Sequence, residues 1–161
     1  MKYISLVLSL AGISMAKVCG NITVSSQLDI DNQDATDCTV IDGDLVVLSD
    51  FPGHFNLNVI VVTGNVIARN LNSVTLVSIP AMAAVGGNLE LTGSFFTPSF
   101  PSLWDVHGDF KVLSVNEIYC SNFDYLVERR GVRGTFECRE GVEVSPAEVG
   151  LKSRSDFDRF G

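Results

Sequence analysis

Asp42, Asp44, Asp105 and Asp109 are the residues of this 161-residue chain best placed by type and spacing to do chemistry. Glycoside cleavage needs two carboxyl groups about 5–9.5 Å apart. Asp42 and Asp44, two residues apart in an extended segment, would share one face at about 7 Å. The same residues have a plainer reading, since Asp and Asn flank glycines wherever a chain bends in solvent. The loops are also too short to build a cleft, so the expectation is that the protein is not an enzyme. His54 and His107 are the only histidines. The counterparts of His107 in similar stretches are Asp42, Thr63, Gly86 and Arg133, which differ in type, so a solvated histidine is expected. No Ser/His/Asp or Cys/His arrangement is visible. The pair Gly86-Gly87 opens no helix and is therefore not a phosphate loop. The four cysteines, Cys19, Cys38, Cys120 and Cys138, contain no CxxC pair, which argues against a zinc site. No cofactor is expected.

An even number of cysteines raises the question of compartment, and the N-terminus answers it. Lys2, the apolar run Ile4 to Leu10 and the small-x-small triplet Ser14-Met15-Ala16 read as a secretory signal peptide over 1–16. A secreted chain with four cysteines is expected to pair them. The chain carries 11 Lys and Arg against 19 Asp and Glu, a net charge of −8, and loss of Lys2 with the leader takes it to −9. That acidity argues against nucleic acid and anionic membranes as partners. The polar end "AEVGLKSRSDFDRFG" lacks the hydrophobic tail of a GPI signal, so no membrane anchor is expected. Asn21, in "NIT", is the one N-glycosylation acceptor and implies an exposed position.

The elements that position these residues follow from a repeat. Gly43, Gly64, Gly87 and Gly108 are separated by 21, 23 and 21 residues, and Gly134 in "VRGTFEC" marks a fifth copy. Ile41, Val62, Val85 and Val106 stand two before each glycine. Leu45, Val66, Leu89 and Phe110 stand two after, and Val47, Ala68, Leu91 and Val112 four after. The connections align too, Ile79-Pro80 over Phe100-Pro101 and Met82 over Leu103. A copy of this length cannot bury its own apolar face, so copies must stack with strands paired in parallel. Alternation sends the apolar residues inward, and the glycine is expected to relieve crowding in the interior or at a bend.

Outward positions then form ladders about 4.8 Å apart. One after the glycine stand Asp44, Asn65, Asn88 and Asp109. Three after stand Val46, Ile67, Glu90 and Lys111, which pairs Glu90 with Lys111 and leaves Val46 and Ile67 as exposed apolar neighbours. Trp104, beside inward Leu103, is expected in solvent. Trp104, Val46, Ile67 and the Asp44-Asn65-Asn88-Asp109 ladder together make the candidate binding surface. The cysteines bracket the two ends, so the expected disulfides are Cys19–Cys38 and Cys120–Cys138. Ser121 and Asp124 read as the N-cap and N3 acid of a short C-terminal helix. Domain bounds are a signal peptide 1–16, a solenoid 17–140 and a disordered tail 141–161.

The repeat V-x-G-[DN]-L-x-[VL] resembles the receptor L-domain, a right-handed parallel β-helix related to leucine-rich repeats, here with about five rungs and a C-terminal capping helix. "CSNFDYLVERRGVRGTFEC" resembles the C-terminal cap of fungal GPI-anchored cell-wall-organisation proteins, the sporulation-specific, receptor L-domain-like group. The matching residues are Cys120, Ser121, Phe123, Asp124, Leu126, Gly134, Phe136 and Cys138. The resemblance implies an all-β, secreted, non-catalytic protein of the fungal cell wall or surface, acting in wall organisation or integrity. The partners it suggests are wall glycan or a surface protein. Two other readings are a soluble effector-like binding module and a carbohydrate-active β-helix enzyme.

Overall fold

A computed structural model describes residues 16–48 and 52–142. The expected signal peptide, apart from Ala16, and the expected tail beyond Val142 lie outside the described residues. In chain order the elements are β1 (Lys17–Cys19), β2 (Ile22–Val24), α1 (Gln27–Ala35), β3 (Cys38–Ile41), β4 (Leu45–Val47) and β5 (Gly53–Asn56). There follow β6 (Val61–Val62), β7 (Val66–Leu71), β8 (Val74–Ser78), β9 (Ala84–Val85), β10 (Leu89–Gly93) and β11 (Thr97–Ser99). The chain then forms β12 (Asp105–Val106), β13 (Phe110–Ser114), a 3-10 turn (Cys120–Phe123), α2 (Asp124–Glu128) and β14 (Phe136–Arg139).

The fold is mostly β, with three parallel sheets and few helices. One sheet runs β1-β3-β6-β9-β12, the second β14-β13-β10-β7-β4-β2, and the third β11-β8-β5. The three middle repeats each give one strand to each sheet in turn before the chain returns to the first, whereas α1 follows β2 and the helical cap follows β13 where a third-sheet strand would otherwise come. Register holds position by position: Leu45, Val66, Leu89, Phe110 and Phe136 are successive partners across the six-stranded sheet. This is why the glycine-based alignment works. Each apolar position must stay over its equivalent, because a slip of one residue would turn it to solvent.

The core is one cluster fed by all three sheets. Ile41, Val62, Val85 and Val106 from the first sheet are fully buried, as are Leu45, Leu89, Phe110 and Val112 from the second, and Phe55 and Val77 from the third are nearly so. Ile79, Met82, Phe100 and Leu103, from the aligned connections, are buried as well. Pro80 and Pro101 sit in turns leading back to the first sheet, closed by Met82 N–H to Ile79 O (3.2 Å) and Leu103 N–H to Phe100 O (3.0 Å). Proline fits there because the ladder asks nothing of its nitrogen.

Several expectations are corrected. The second sheet has six strands rather than about five, because "VCGNITV" (18–24) is itself a copy. Gly20, Asn21, Ile22 and Val24 stand at the spacing of Gly43, Asp44, Leu45 and Val47, and β2 pairs with β4 accordingly, but in β1 it is Cys19 that partners Ile41, and Val18 is left exposed. The glycines do not relieve crowding inside. A Cβ on Gly87 would lie 2.4 Å from Asn65 Oδ1 and 2.9 Å from Gly64 O, so the obstacle is the preceding repeat. The N-terminal segment holds a helix, α1, that the repeat pattern did not reveal. Asp29 Oδ2 accepts the Ser25 N–H (2.7 Å) and the Ser26 hydroxyl (3.1 Å), which satisfies donors at its first turn. At the other end Ser121 is not an N-cap. Tyr119, in the left-handed region at φ 52°, precedes the 3-10 turn, Phe123 precedes α2, and neither caps with its side chain.

Both ends are stapled. Cys19 is bonded to Cys38 and Cys120 to Cys138. Phe110 stacks on Phe136 at 5.0 Å and tilts against Phe123 at 5.1 Å, which joins the last strands to the helical cap.

Candidate functional site

The outward Asp and Asn residues form a continuous corner between the first and second sheets. In each repeat the side-chain Oδ1 accepts the backbone N–H of the equivalent residue one repeat on. Asn21 accepts from Asp44 (2.8 Å), Asp44 from Asn65 (2.7 Å), Asn65 from Asn88 (2.9 Å), Asn88 from Asp109 (2.8 Å) and Asp109 from Thr135 (2.7 Å). A parallel run of glycine amides climbs beside it, Gly64 to Gly43 O (2.9 Å), Gly87 to Gly64 O (2.8 Å) and Gly108 to Gly87 O (2.9 Å). The glycine is required because Oδ1 occupies the space a Cβ would need. At Gly43 that space holds Asn21 Oδ1, and φ is also +145°. The Thr135 N–H holds the Asp109 carboxyl below its ordinary value.

The ladder residues Asp44, Asn65, Asn88 and Asp109 therefore stand together, with at least one oxygen of each engaged in joining repeats. Asp42, the companion carboxylate of the sequence reading, accepts the Thr63 hydroxyl at 3.0 Å, and Thr63 Oγ1 in turn accepts the Gly43 N–H at 2.9 Å. The outer face of the second sheet carries Thr23, Val46, Ile67, Glu90, Lys111 and Glu137 in register. Val46 and Ile67 are half-buried there, not exposed as expected. Glu90 pairs with Lys111 only at 3.9 Å; its closer partner is Arg69, whose Nε donates to Oε2 at 3.0 Å. Alignment on the glycine alone did not bring Arg69 to Glu90, since the two lie on adjacent repeats at different offsets.

The segments that lead into the first sheet are different in character. Thr39, Ile60, Ala83 and Trp104 follow one another through backbone bonds of 2.7, 2.7 and 3.0 Å. Trp104 is 57% exposed and Ile60 41%. Next to Trp104, Asp105 Oδ2 lies 2.9 Å from His107 Nε2 and 3.3 Å from Arg133 Nη2. Sequence reading reached Trp104 and aligned His107 with Arg133, but not Asp105 as the carboxylate they share, because Asp105 stands at a different offset from the glycine. Near the first repeats a cleft of about 1040 Å³ is lined by Lys17, Gln33, Asp37, Thr39, Asn58 and Ile60 among others, and contains none of the ladder residues. Among the described residues no group of three His, Cys, Asp or Glu side chains could hold a metal ion.

What the arrangement can do is present surface. The ladder lends rigidity to a corner flanked by one charged face and one face bearing an exposed tryptophan, a residue favoured at contacts. No family model matches the chain, and no solved structure matches it. Over 64 residues the chain is 36% identical to a "Cell surface GPI-anchored protein" of Arthroderma benhamiae, a stretch spanning 40% of this chain and only 16% of that protein; to that extent the chain is similar to a fungal cell-surface protein.

Proposed function

We propose that this chain is a secreted, non-catalytic protein of the fungal cell surface or wall, contributing to wall organisation. In this reading the three sheets are the sides of a right-handed parallel β-helix of the receptor L-domain type. The observation that carries the proposal is the partial similarity to a GPI-anchored cell-surface protein. The repeat agrees with it. Asp42 and Asp44, the best carboxylates for glycoside cleavage, are engaged in holding repeats together. The test is fractionation of fungal cultures expressing the tagged chain. A wall-associated fraction, or retention on glucan or chitin, is expected. Recovery only from the medium, with no affinity for either polymer, defeats the proposal.

The exposed Trp104 and Ile60 favour a second reading, a soluble module that binds a host or surface protein. Immobilised mature protein would then capture a protein partner that a Trp104→Ala variant loses, while neither binds wall polymer.

A further inference from the structure

We propose that Asn21 does two jobs at once. Its Oδ1 is the first acceptor of the ladder, and its Nδ2 carries an N-linked glycan that shields the free edge of β2. The direction of the amide is the key observation. Within the stack, Asn65 Nδ2 donates back to Asp44 Oδ1 at 3.0 Å while Asn65 Oδ1 accepts from the following repeat. Asn65 thus aims its oxygen at the next repeat and its nitrogen at the previous one, and the same orientation at Asn21 would turn its nitrogen away from the stack. Inside the stack the nitrogen has no room for a sugar. Asn21 belongs to the first copy, and its Oδ1 accepts the Asp44 N–H like any other member. Among the described residues no repeat lies before it, and β2 is the edge of its sheet.

Gly20 gives an independent measure of that space. A Cβ on Gly64, Gly87, Gly108 or Gly134 would meet the preceding repeat at 2.0–2.4 Å, whereas one on Gly20 would meet nothing within 4 Å. Asn21 and Thr23 are both exposed, and Asn21-Ile22-Thr23 is the acceptor triplet. The other ladder amides, Asn65 and Asn88, are followed by Val66-Ile67 and Leu89-Glu90 and are not acceptors. In the transfer, Asn21 Nδ2 forms a bond to the anomeric carbon of a lipid-diphosphate-linked oligosaccharide. The bond from that carbon to the diphosphate breaks, the lipid diphosphate leaves, and one amide proton passes to solvent. The carboxamide oxygen is untouched, so the ladder bond survives. A sugar at this point stands beside a strand edge that would otherwise pair with another chain.

The inference rests on the chain being secreted, and the experiment separates the two. The mature domain from Lys17 is expressed in yeast behind a heterologous leader, and the full chain behind its own N-terminus. Peptide:N-glycosidase F should lower the mass of the secreted domain and leave aspartate at position 21, and Thr23→Ala should abolish the shift. Thr23→Ala should keep the unfolding midpoint of the parent trimmed with endoglycosidase H, which leaves a single N-acetylglucosamine on an intact Asn21 amide, while Asn21→Ala should lower it by several degrees. Thr23→Ala should also self-associate with rising concentration, seen by light scattering. Secreted domain with unmodified Asn21, or Asn21→Ala with an unchanged midpoint, overturns the proposal. A Thr23→Ala protein that stays monomeric overturns the shielding role. Retention of the full chain in cells, with the heterologous-leader domain glycosylated, removes the secreted reading and leaves the site standing.

Discussion

Asp44 Oδ1 accepts two hydrogen bonds from Asn65, one from its backbone N–H at 2.7 Å and one from its side-chain Nδ2 at 3.0 Å. The pair explains why amides occupy the middle of the ladder. A carboxylate at 65 would lose the side-chain donor and set a second negative charge against Asp44, so the two ladder carboxylates sit apart, at 44 and 109, with Asn65 and Asn88 between them.

Asn65→Ala should destabilise the protein by about 1–3 kcal/mol, because it strands the Asn88 N–H and removes a donor from Asp44. Asn65→Asp keeps an acceptor for Asn88 but sets like charges side by side. Its deficit should shrink as salt rises from about 0.1 to 1 M, over which the screening length falls from about 10 to 3 Å. Urea titrations at both salt concentrations check this. Equal and salt-independent losses in the two variants would show that the ladder is not the source of the stability.

Glycine substitutions should depend on what lies in the preceding repeat. Gly87→Ala places a methyl group 2.4 Å from Asn65 Oδ1, and a loss of about 2 kcal/mol or more is expected. Gly20→Ala meets nothing within 4 Å and should stay within about 0.5 kcal/mol of the parent. Thermal unfolding of the two variants decides it; similar losses would contradict the close-approach account.

Sequence reading reached the register of the stack because that register is written in single residues. Val85, Leu89 and Leu91 must be apolar to be buried, and Gly87 must be glycine to admit Asn65 Oδ1. The second fact was legible only as a spacing. Its cause lies on a neighbouring repeat, and a one-dimensional alignment shows the glycine without its partner. The first copy escaped notice because its cysteine and its glycosylation triplet each suggested another role, although Gly20 stands 23 residues before Gly43, within the spacing of the later copies. Helix α1 was missed for a physical reason as well. Its residues QLDIDNQDA show little apolar periodicity, and its start is marked by Ser25, Ser26 and Asp29 rather than by a core stripe. The Asp105–His107–Arg133 cluster hangs on Asp105, two residues from His107 and 28 from Arg133; His107 and Arg133 share the slot before the glycine, but Asp105 stands three before it, an offset the ladder rule does not relate to theirs.

Acid should weaken the C-terminal end of the ladder. The Thr135 N–H lowers the folded-state value of Asp109 below the ordinary one of about 3.9. A depressed value in the folded state means a contribution that is present above the ordinary value and lost as pH falls through the folded one. Unfolding midpoints of the parent and of Asp109→Asn should therefore differ above about pH 4 and converge below it. Asp29, lowered by the Ser25 N–H, is common to both proteins and cancels in the comparison. A gap that widens on acidification would reverse the sign and refute the assignment.

Removing the C-terminal staple should loosen that end first. The Cys120–Cys138 bond closes a loop of 18 residues, for which chain entropy suggests about 3 kcal/mol. In Cys120→Ser/Cys138→Ser, hydrogen exchange should accelerate in β14 and α2 before it does in β7 and β10, since each repeat leans chiefly on its neighbours. Uniform acceleration through all strands would mean that the stack opens as one unit.

Trp104 is the one tryptophan of the chain, which makes the exposed face directly observable. At 57% exposure its emission should be red-shifted and readily quenched by acrylamide. Trp104→Ala should change stability by no more than about 0.5 kcal/mol, as for surface positions generally. If this face is the contact surface, soluble β-glucan or chitin oligomers should blue-shift the emission and protect it from acrylamide, and Trp104→Ala should lose retention on the polymer while still folding. A spectrum indifferent to every wall polymer, together with undiminished retention of Trp104→Ala, would move the contact to the charged face around Glu90. There Arg69, at 3.0 Å from the Glu90 carboxylate, becomes the residue to replace.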